Sequence, residues 1–151
     1  MAETLGTLCD KLTVLQLKHW HCEQPMQRES LARQSQDLQT ELNELFGAAI
    51  AGQVPIQRLH QPSHKVYKRE GNETAAVTGT TGAIIARLAQ VNCELWHEQE
   101  KVYEFHTVPH DRKDAVVKRL AVLNLERNHC IDAIDRAFQG LVANHTQGSL
   151  R

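Results

Sequence analysis

The stretch VVKRLAVLNLERNHCIDAIDRAFQGLV, residues 116–142, decides the fold. At about 100° of rotation per residue, its large apolar side chains fall on one face of an α-helix. That face carries Val116, Leu120, Leu123, Ile131, Ile134, Phe138 and Leu141. Arg127 lies near the middle of the same face. Because a buried arginine keeps its charge, it requires an acidic or anionic partner from inside or outside the protein.

Three further helices are predicted from apolar stripes of the same period. The first is apolar on two sides, which favours a central place in a bundle or a position at a subunit contact. The predicted boundaries of the four helices are about residues 4–23, 27–51, 82–105 and 113–142. Thr80 or Thr81 is expected to cap the third helix. An all-α, antiparallel four-helix bundle would bury these stripes.

Composition is that of an ordinary globular protein. The chain is long enough for one domain with a core, predicted to span residues 1–151. The 17 basic and 18 acidic residues nearly balance, which argues against nucleic acid or an acidic membrane as a partner. No stretch suits a membrane span or a signal peptide, so we expect a cytoplasmic protein. The four cysteines form no CxxC pair and are expected to be reduced thiols.

Residues 53 to about 81 interrupt the helical pattern between the second and third helices. Prolines, glycines and a Thr/Gly run exclude a long regular helix there. Loops of this length in a compact domain are usually either functional or disordered. The basic segment HKVYKREG, residues 64–71, leaves two interpretations open: a plain surface excursion and a flap over an anionic ligand. Residues 144–151 are predicted to form a frayed tail.

Two ExxH motifs suggest a metal centre, because ferritin-like bundles bind two iron ions with this spacing. Helical rotation places both motifs about 100° from their apolar stripes, so we expect them on solvated faces. An HxxC pair on the first helix points inward and could contribute to a zinc site. The ligands of these weaker alternatives would be Glu94, His97, Glu126 and His129 for iron and His19 and Cys22 for zinc. We therefore predict no cofactor.

A polar cluster around Arg127 is the stronger candidate site, because three helices project polar groups toward it. Glu23 and Glu98 are the predicted carboxylate partners of Arg127. The candidate ligand-binding residues are Arg127, Asn124, Asn128, Asp135, His19, Gln99, Glu98 and Trp96. The cluster has two interpretations: a buried network that fixes the register of the helices, and a cleft that binds a phosphate or carboxylate ligand.

Three blocks of the chain resemble a known family. They are LGTLCDKLTVLQLKHWH (5–21), VNCELWHEQE (91–100) and LNLERNHCIDAID (123–135). They are similar to family 4254 of the domains of unknown function and to a related family with a GELIDKLTILELK-like start. The resemblance implies a small bacterial helical bundle, often encoded beside glycosyltransferase or cell-surface polysaccharide genes, and no established reaction. The matching residues are Asp10, Lys11, Trp96, His97, Asn124, Arg127, Asn128 and Asp135.

One departure from the family pattern bears on chemistry. The pattern LWHxED would place a glutamate at position 99, where this chain has Gln99. A glutamine is neutral and cannot serve as a carboxylate ligand or general base. We therefore predict a non-catalytic bundle that forms a homo-oligomer, namely a dimer, or that binds a partner in a glycosyltransferase pathway. The alternatives are an enzyme or sensor for a phosphorylated or carboxylated small molecule at Arg127, and a metalloprotein.

Overall fold

The computed structural model describes residues 3–62, 74 and 76–149. Its α-helices are α1 (Leu5–His21), α2 (Pro25–Ile50), α3 (Thr81–Tyr103) and α4 (Lys113–Gly148). Short 3-10 turns lie at Ile56–Arg58, Phe105–Thr107 and His110–Arg112. The predicted all-α fold class is confirmed. The fourth helix continues six residues beyond its predicted end at Val142.

Local sequence explains where the helices begin and end. Thr4 and Thr7 form a capping box at the start of α1, each side chain accepting a hydrogen bond from the other's amide. Pro25 is the first residue of α2, a position whose amide has no partner within the helix. Gly52, with φ of +71°, follows α2 in the left-handed conformation that glycine tolerates. Thr80, one of the two threonines predicted as candidates, caps α3 with its hydroxyl.

Helix α1 is central in the packing of the bundle. It contacts α2, α3 and α4, and the most extensive helix pair is α3 with α4. The predicted apolar face of the fourth helix lies against the core, with Leu141 as its exposed exception. Buried apolar residues of the core include Leu5, Leu8, Leu88, Val91, Leu123, Ile131, Ile134, Phe138 and Val142.

Helix α2 is long, but little of it is buried. Only Leu31, Ser35 and Ala49 of its 26 residues are buried. It packs mainly on α1. Near the carboxyl end of α2 it also contacts α4, where Phe46 lies against Phe138. An open cleft therefore runs over α1 beside α2.

The connection between α2 and α3 is described in part. It contains the 3-10 turn Ile56–Arg58 and the buried side chain of Leu59. The basic segment 64–71, predicted as a surface excursion or a flap, lies outside the described residues. None of the helices in the described ranges combines the length and hydrophobicity needed to cross a bilayer.

Candidate functional site

Arg127 forms a two-point ion pair with Asp10 of α1. Its Nε donates to Oδ1 of Asp10 at 2.7 Å, and its Nη2 donates to Oδ2. The Asp10 side chain is 6% exposed and the Arg127 side chain 34% exposed. The hydrogen bonds from Arg127 to Asp10 raise the pKa of Arg127, although partial burial opposes them. The positive charge in the α4 stripe is therefore matched by a carboxylate of the same chain.

Asn92 of α3 completes the surroundings of Asp10. Its Nδ2 donates to Oδ1 of Asp10 at 2.9 Å and to Oγ1 of Thr13 at 2.7 Å. Asn92 and Asp10 are both buried, so these hydrogen bonds form away from water. The Asp10 carboxylate thus joins α1, α3 and α4. A satisfied buried network of this kind holds helices in one register, which supports the structural interpretation of the cluster.

The prediction that Glu98 and Glu23 are the partners of Arg127 is wrong. Glu98 instead accepts a hydrogen bond from Lys101 at 2.6 Å, and Glu23 is exposed after the end of α1. Asp10 was missed because it lies on a different side of α1 from the leucine stripe. That side is also covered, since α1 contacts three helices. The one sequence signal for Asp10 was its place in the family-like block LGTLCDK.

Asp135 makes a second polar contact between α4 and α1. Its Oδ1 accepts a hydrogen bond from the amide of Gly6 at 2.6 Å. Gly6 lies in the first turn of α1, where amides have no partner within the helix. Burial raises the pKa of Asp135 and outweighs the lowering by the Gly6 amide and the Thr4 hydroxyl. Position 6 has no room for a side chain, because a Cβ there would overlap the carbonyl oxygen of Ile131.

Two residues that were predicted to face inward are exposed. Gln99 donates to the hydroxyl of Tyr103 at 3.5 Å, and Asn124 donates to the carbonyl of Leu120 at 3.0 Å. Gln99 is uncovered because α1 ends at His21, so this side of α3 extends past the helix that packs on it. Neither residue reaches the Arg127 guanidinium.

The remaining predicted residues lie around the cluster rather than in it. Trp96 stacks on His21 of α1 with ring centroids 4.9 Å apart, and its Nε1 donates to Glu100 at 3.0 Å. His19 and Asn128 are half-buried. In the described ranges, Arg127 and Asp135 are the predicted residues whose side chains join α4 to α1.

The glutamates of the two ExxH motifs are bound by arginines. Arg87 pairs with Glu126 at 2.5 Å and with Glu94 at 3.5 Å, and Arg119 pairs with the other oxygen of Glu94. These four half-exposed charges run in a line across the contact between α3 and α4. Arg87 links the two glutamates across the helix contact, whereas their phase indicated solvated faces.

The other predicted metal ligands do not converge. His97 is exposed, and Nδ1 of His129 lies 2.7 Å from Oγ1 of Thr74. The Sγ of Cys22 lies 3.5 Å from the carbonyl oxygen of Gln24. In the part of the chain that the structure describes, no group of three or more His, Cys, Asp or Glu side chains is placed to hold a metal ion.

An open cleft lies beside the Asp10–Arg127 pair. A cavity of about 400 Å³ is bounded by α1, α2 and Arg127. A second cavity of about 660 Å³ shares Lys18 and Gln34 with the first and extends to Trp96. We refer to the first cavity as the α1–α2 cleft; the residues used below are Val14, Leu15, Lys18, Asp37, Leu38 and Glu41.

Compared with known proteins, the chain matches no family model, no curated protein and no solved structure. The polar contacts and exposed surfaces of the described residues are therefore the basis on which a function can be proposed.

Proposed function

We propose that this protein is a non-catalytic helical bundle that acts by self-association. The observation that carries the proposal is a contrast between its polar and apolar residues. Asp10 and Arg127, which together could have formed a reactive centre, are bonded to each other. Large apolar side chains, in contrast, lie exposed near the carboxyl ends of α2 and α4. A bundle with these features is suited to binding another protein surface.

Phe46, Ile50 and Leu141 form the surface that we assign to association, and we call them the apolar patch. Their side chains are 44%, 42% and 56% exposed. Phe46 packs on buried Phe138 with ring centroids 4.6 Å apart, which ties the patch to the core. Ile50 and Leu141 lie about one turn beyond Phe46 and Phe138 on their helices. The apolar patch therefore continues the core onto the surface.

The neighbours of the apolar patch along its two helices are polar residues other than Asp, Glu, Lys and Arg. Gln39 and Asn43 lie on the same side of α2 as Phe46, and Asn144 and His145 follow Leu141 in α4. The centres of protein interfaces are likewise depleted of charged residues. With 17 basic and 18 acidic residues, two copies of the chain do not repel each other through net charge. These features favour a second copy as the occupant of the patch.

The proposal also places the four helices in an up-and-down, antiparallel order. Gly6 contacts Asp135, and Asp10, further along α1, contacts Arg127, which is earlier in α4. This reversal supports opposite directions for α1 and α4. In an up-and-down order, α2 and α4 run the same way, so their carboxyl ends share one end of the bundle. A patch spanning both helices can then form a two-fold symmetric interface.

The resemblance to family 4254 supports a cellular context for this association. We propose a bacterial, cytoplasmic accessory protein that accompanies a glycosyltransferase in cell-surface polysaccharide synthesis. A dimer would present two copies of any partner-binding surface to such an enzyme, which increases avidity.

Light scattering coupled to size-exclusion chromatography tests the proposal. At about 100 µM protein we expect twice the monomer mass, because this concentration exceeds a micromolar dissociation constant. Leu141→Glu and Ile50→Glu should each yield monomers, since they place a charge in the patch. Val117→Glu is the matched control, because Val117 is 54% exposed near the other end of α4, and it should remain dimeric.

Two outcomes would contradict self-association. One is a wild-type protein that stays monomeric over the whole concentration range. The other is a dimer that survives both patch substitutions, which would place the contact elsewhere on the molecule. Melting temperatures of all variants should match wild type at dilutions where the wild type is also monomeric, because the substituted side chains are exposed.

A further inference from the structure

We propose that the α1–α2 cleft binds a small zwitterion, with its carboxylate held by Lys18 and Arg127 and its ammonium group by Asp37 and Glu41. All four side chains line the same cavity. The cleft and the apolar patch occupy different parts of α2, so ligand binding does not depend on self-association.

Arg127 is suited to hold a carboxylate in a fixed direction. Its pair with Asp10 uses Nε and Nη2, which leaves the Nη1 end of the guanidinium outside that pair. Arg127 also lines the cleft and remains a third exposed. A guanidinium that is already held in place loses less conformational entropy when it binds a second anion. Asp10 therefore acts as a positioning residue for Arg127.

Opposite charges line the two walls of the cleft. Lys18 projects from α1, while Asp37 and Glu41 are neighbours on α2 at a spacing of four residues. Lys11, the other lysine at the cleft, is occupied by Glu3 at 2.7 Å. A ligand with only a negative charge would face Asp37 and Glu41 unfavourably. A ligand with both charges satisfies both walls, so the charge distribution favours a zwitterion over a simple anion.

The floor of the cleft is apolar and its size suits a small molecule. Val14, Leu15 and Leu38 are half-buried between the charged walls. The cavity of about 400 Å³ lies within the range of small-molecule sites, in which an apolar lining carries a few placed polar groups. The methylene chain of an ω-amino acid, with one charge at each end, matches this arrangement.

Isothermal titration calorimetry on the full chain with a series of ω-amino acids tests the proposal. Glycine, β-alanine, γ-aminobutyrate and ε-aminocaproate carry the same two charges at increasing separation. We expect one member to bind with a Kd of about 1 mM or tighter. Its analogues that lack one charge, such as caproate and hexylamine for the longest member, should bind at least about tenfold more weakly. Binding should persist in Leu141→Glu protein, which separates this result from the oligomeric state.

Exposed variants locate the site without disturbing the core. Lys18→Gln and Asp37→Asn should each weaken binding by about tenfold, because each removes one charged contact. Glu29→Gln, an exposed acid on α2 outside the cleft, should leave the affinity unchanged. The proposal is overturned if no member of the series binds below about 10 mM, or if caproate binds as tightly as ε-aminocaproate. It is also overturned if Lys18→Gln and Asp37→Asn bind like wild type.

Discussion

The two sides of α1 differ in the exposure of their polar groups. Toward α3 and α4, Asp10 is buried and bonded to Arg127 and Asn92. Toward α2, Lys18 and Asp37 stay exposed along an open cleft. We call these the sealed side and the open side of α1; Arg127 lies where the two meet, because it also lines the cleft. A charged residue in an apolar stripe therefore does not by itself mark a ligand site, because the chain can supply the partner.

Removing the carboxylate of the sealed side should have the largest effect. Asp10→Ala leaves Arg127 and Asn92 without their acceptor, so the free energy of unfolding should fall by about 3 kcal/mol. Asp37→Ala on the open side is the matched control and should change it by less than about 0.5 kcal/mol. Urea denaturation of both variants measures the difference. Equal effects would mean that the two sides are not distinct.

Close packing on the sealed side should make Gly6 intolerant of a side chain. Gly6→Ala pushes a Cβ into the Ile131 carbonyl, and we expect a loss of about 2 kcal/mol from overpacking. Gly47→Ala in α2 meets nothing within 4 Å and should stabilise the protein by about 0.5 kcal/mol, because alanine favours helix. Thermal and urea melts give both values. A tolerated Gly6→Ala would show that α1 and α4 are further apart than described.

Asp135 should make the free energy of unfolding depend on pH, with an effect smaller than the two above. Burial raises its folded-state pKa, so its contribution to stability is full below the ordinary carboxyl pKa and is lost as pH rises through the raised value. Asp135→Asn removes this loss. The variant should therefore gain stability relative to wild type as pH rises above the ordinary carboxyl pKa, as followed by urea melts.

The comparison at position 135 is direct, because the other groups that face Asp135 are unchanged in the variant. They are the Gly6 amide, the Thr4 hydroxyl, the Cys9 thiol, His60 and Asp132. A stability difference that stays constant with pH would contradict the raised pKa. A variant that loses stability relative to wild type as pH rises would show that the pKa of Asp135 is lowered rather than raised.

The smallest effect is expected for the arginine–glutamate line between α3 and α4. Arg119→Gln breaks a half-exposed pair with Glu94, so it should cost about 0.5 kcal/mol at low salt. The cost should vanish near 1 M salt, where the Debye length is about 3 Å. Denaturation at two salt concentrations checks this. A large, salt-independent loss would show that the line belongs with the sealed side.

The helices could be predicted from sequence because each buries an apolar stripe of regular period. The boundaries differ by up to six residues, and the cap of α3 is Thr80, one of the two predicted threonines. Arg127 was correctly recognised as a residue that needs a partner. Self-association and ligand binding stay predictions, as does the interpretation of segment 64–71.

The contacts of Asp10 and Gln99 could not be predicted, for two physical reasons. A single apolar stripe gives one inward direction, whereas α1 is covered on three sides and can bury Asp10 away from its leucines. A stripe also carries no information about where the neighbouring helix ends. Gln99 has the phase of a core residue but lies beyond the end of α1 at His21.

A double-mutant cycle between Asp10 and Arg127 tests the central claim most directly. The claim is that the charge of Arg127 is matched within the protein by the Asp10 carboxylate. Asp10→Asn, Arg127→Gln and the double variant should show a coupling of about 2 kcal/mol in the free energy of unfolding, as expected for a two-point pair with a buried carboxylate. A coupling below about 0.3 kcal/mol, meaning additive effects, would contradict the pair.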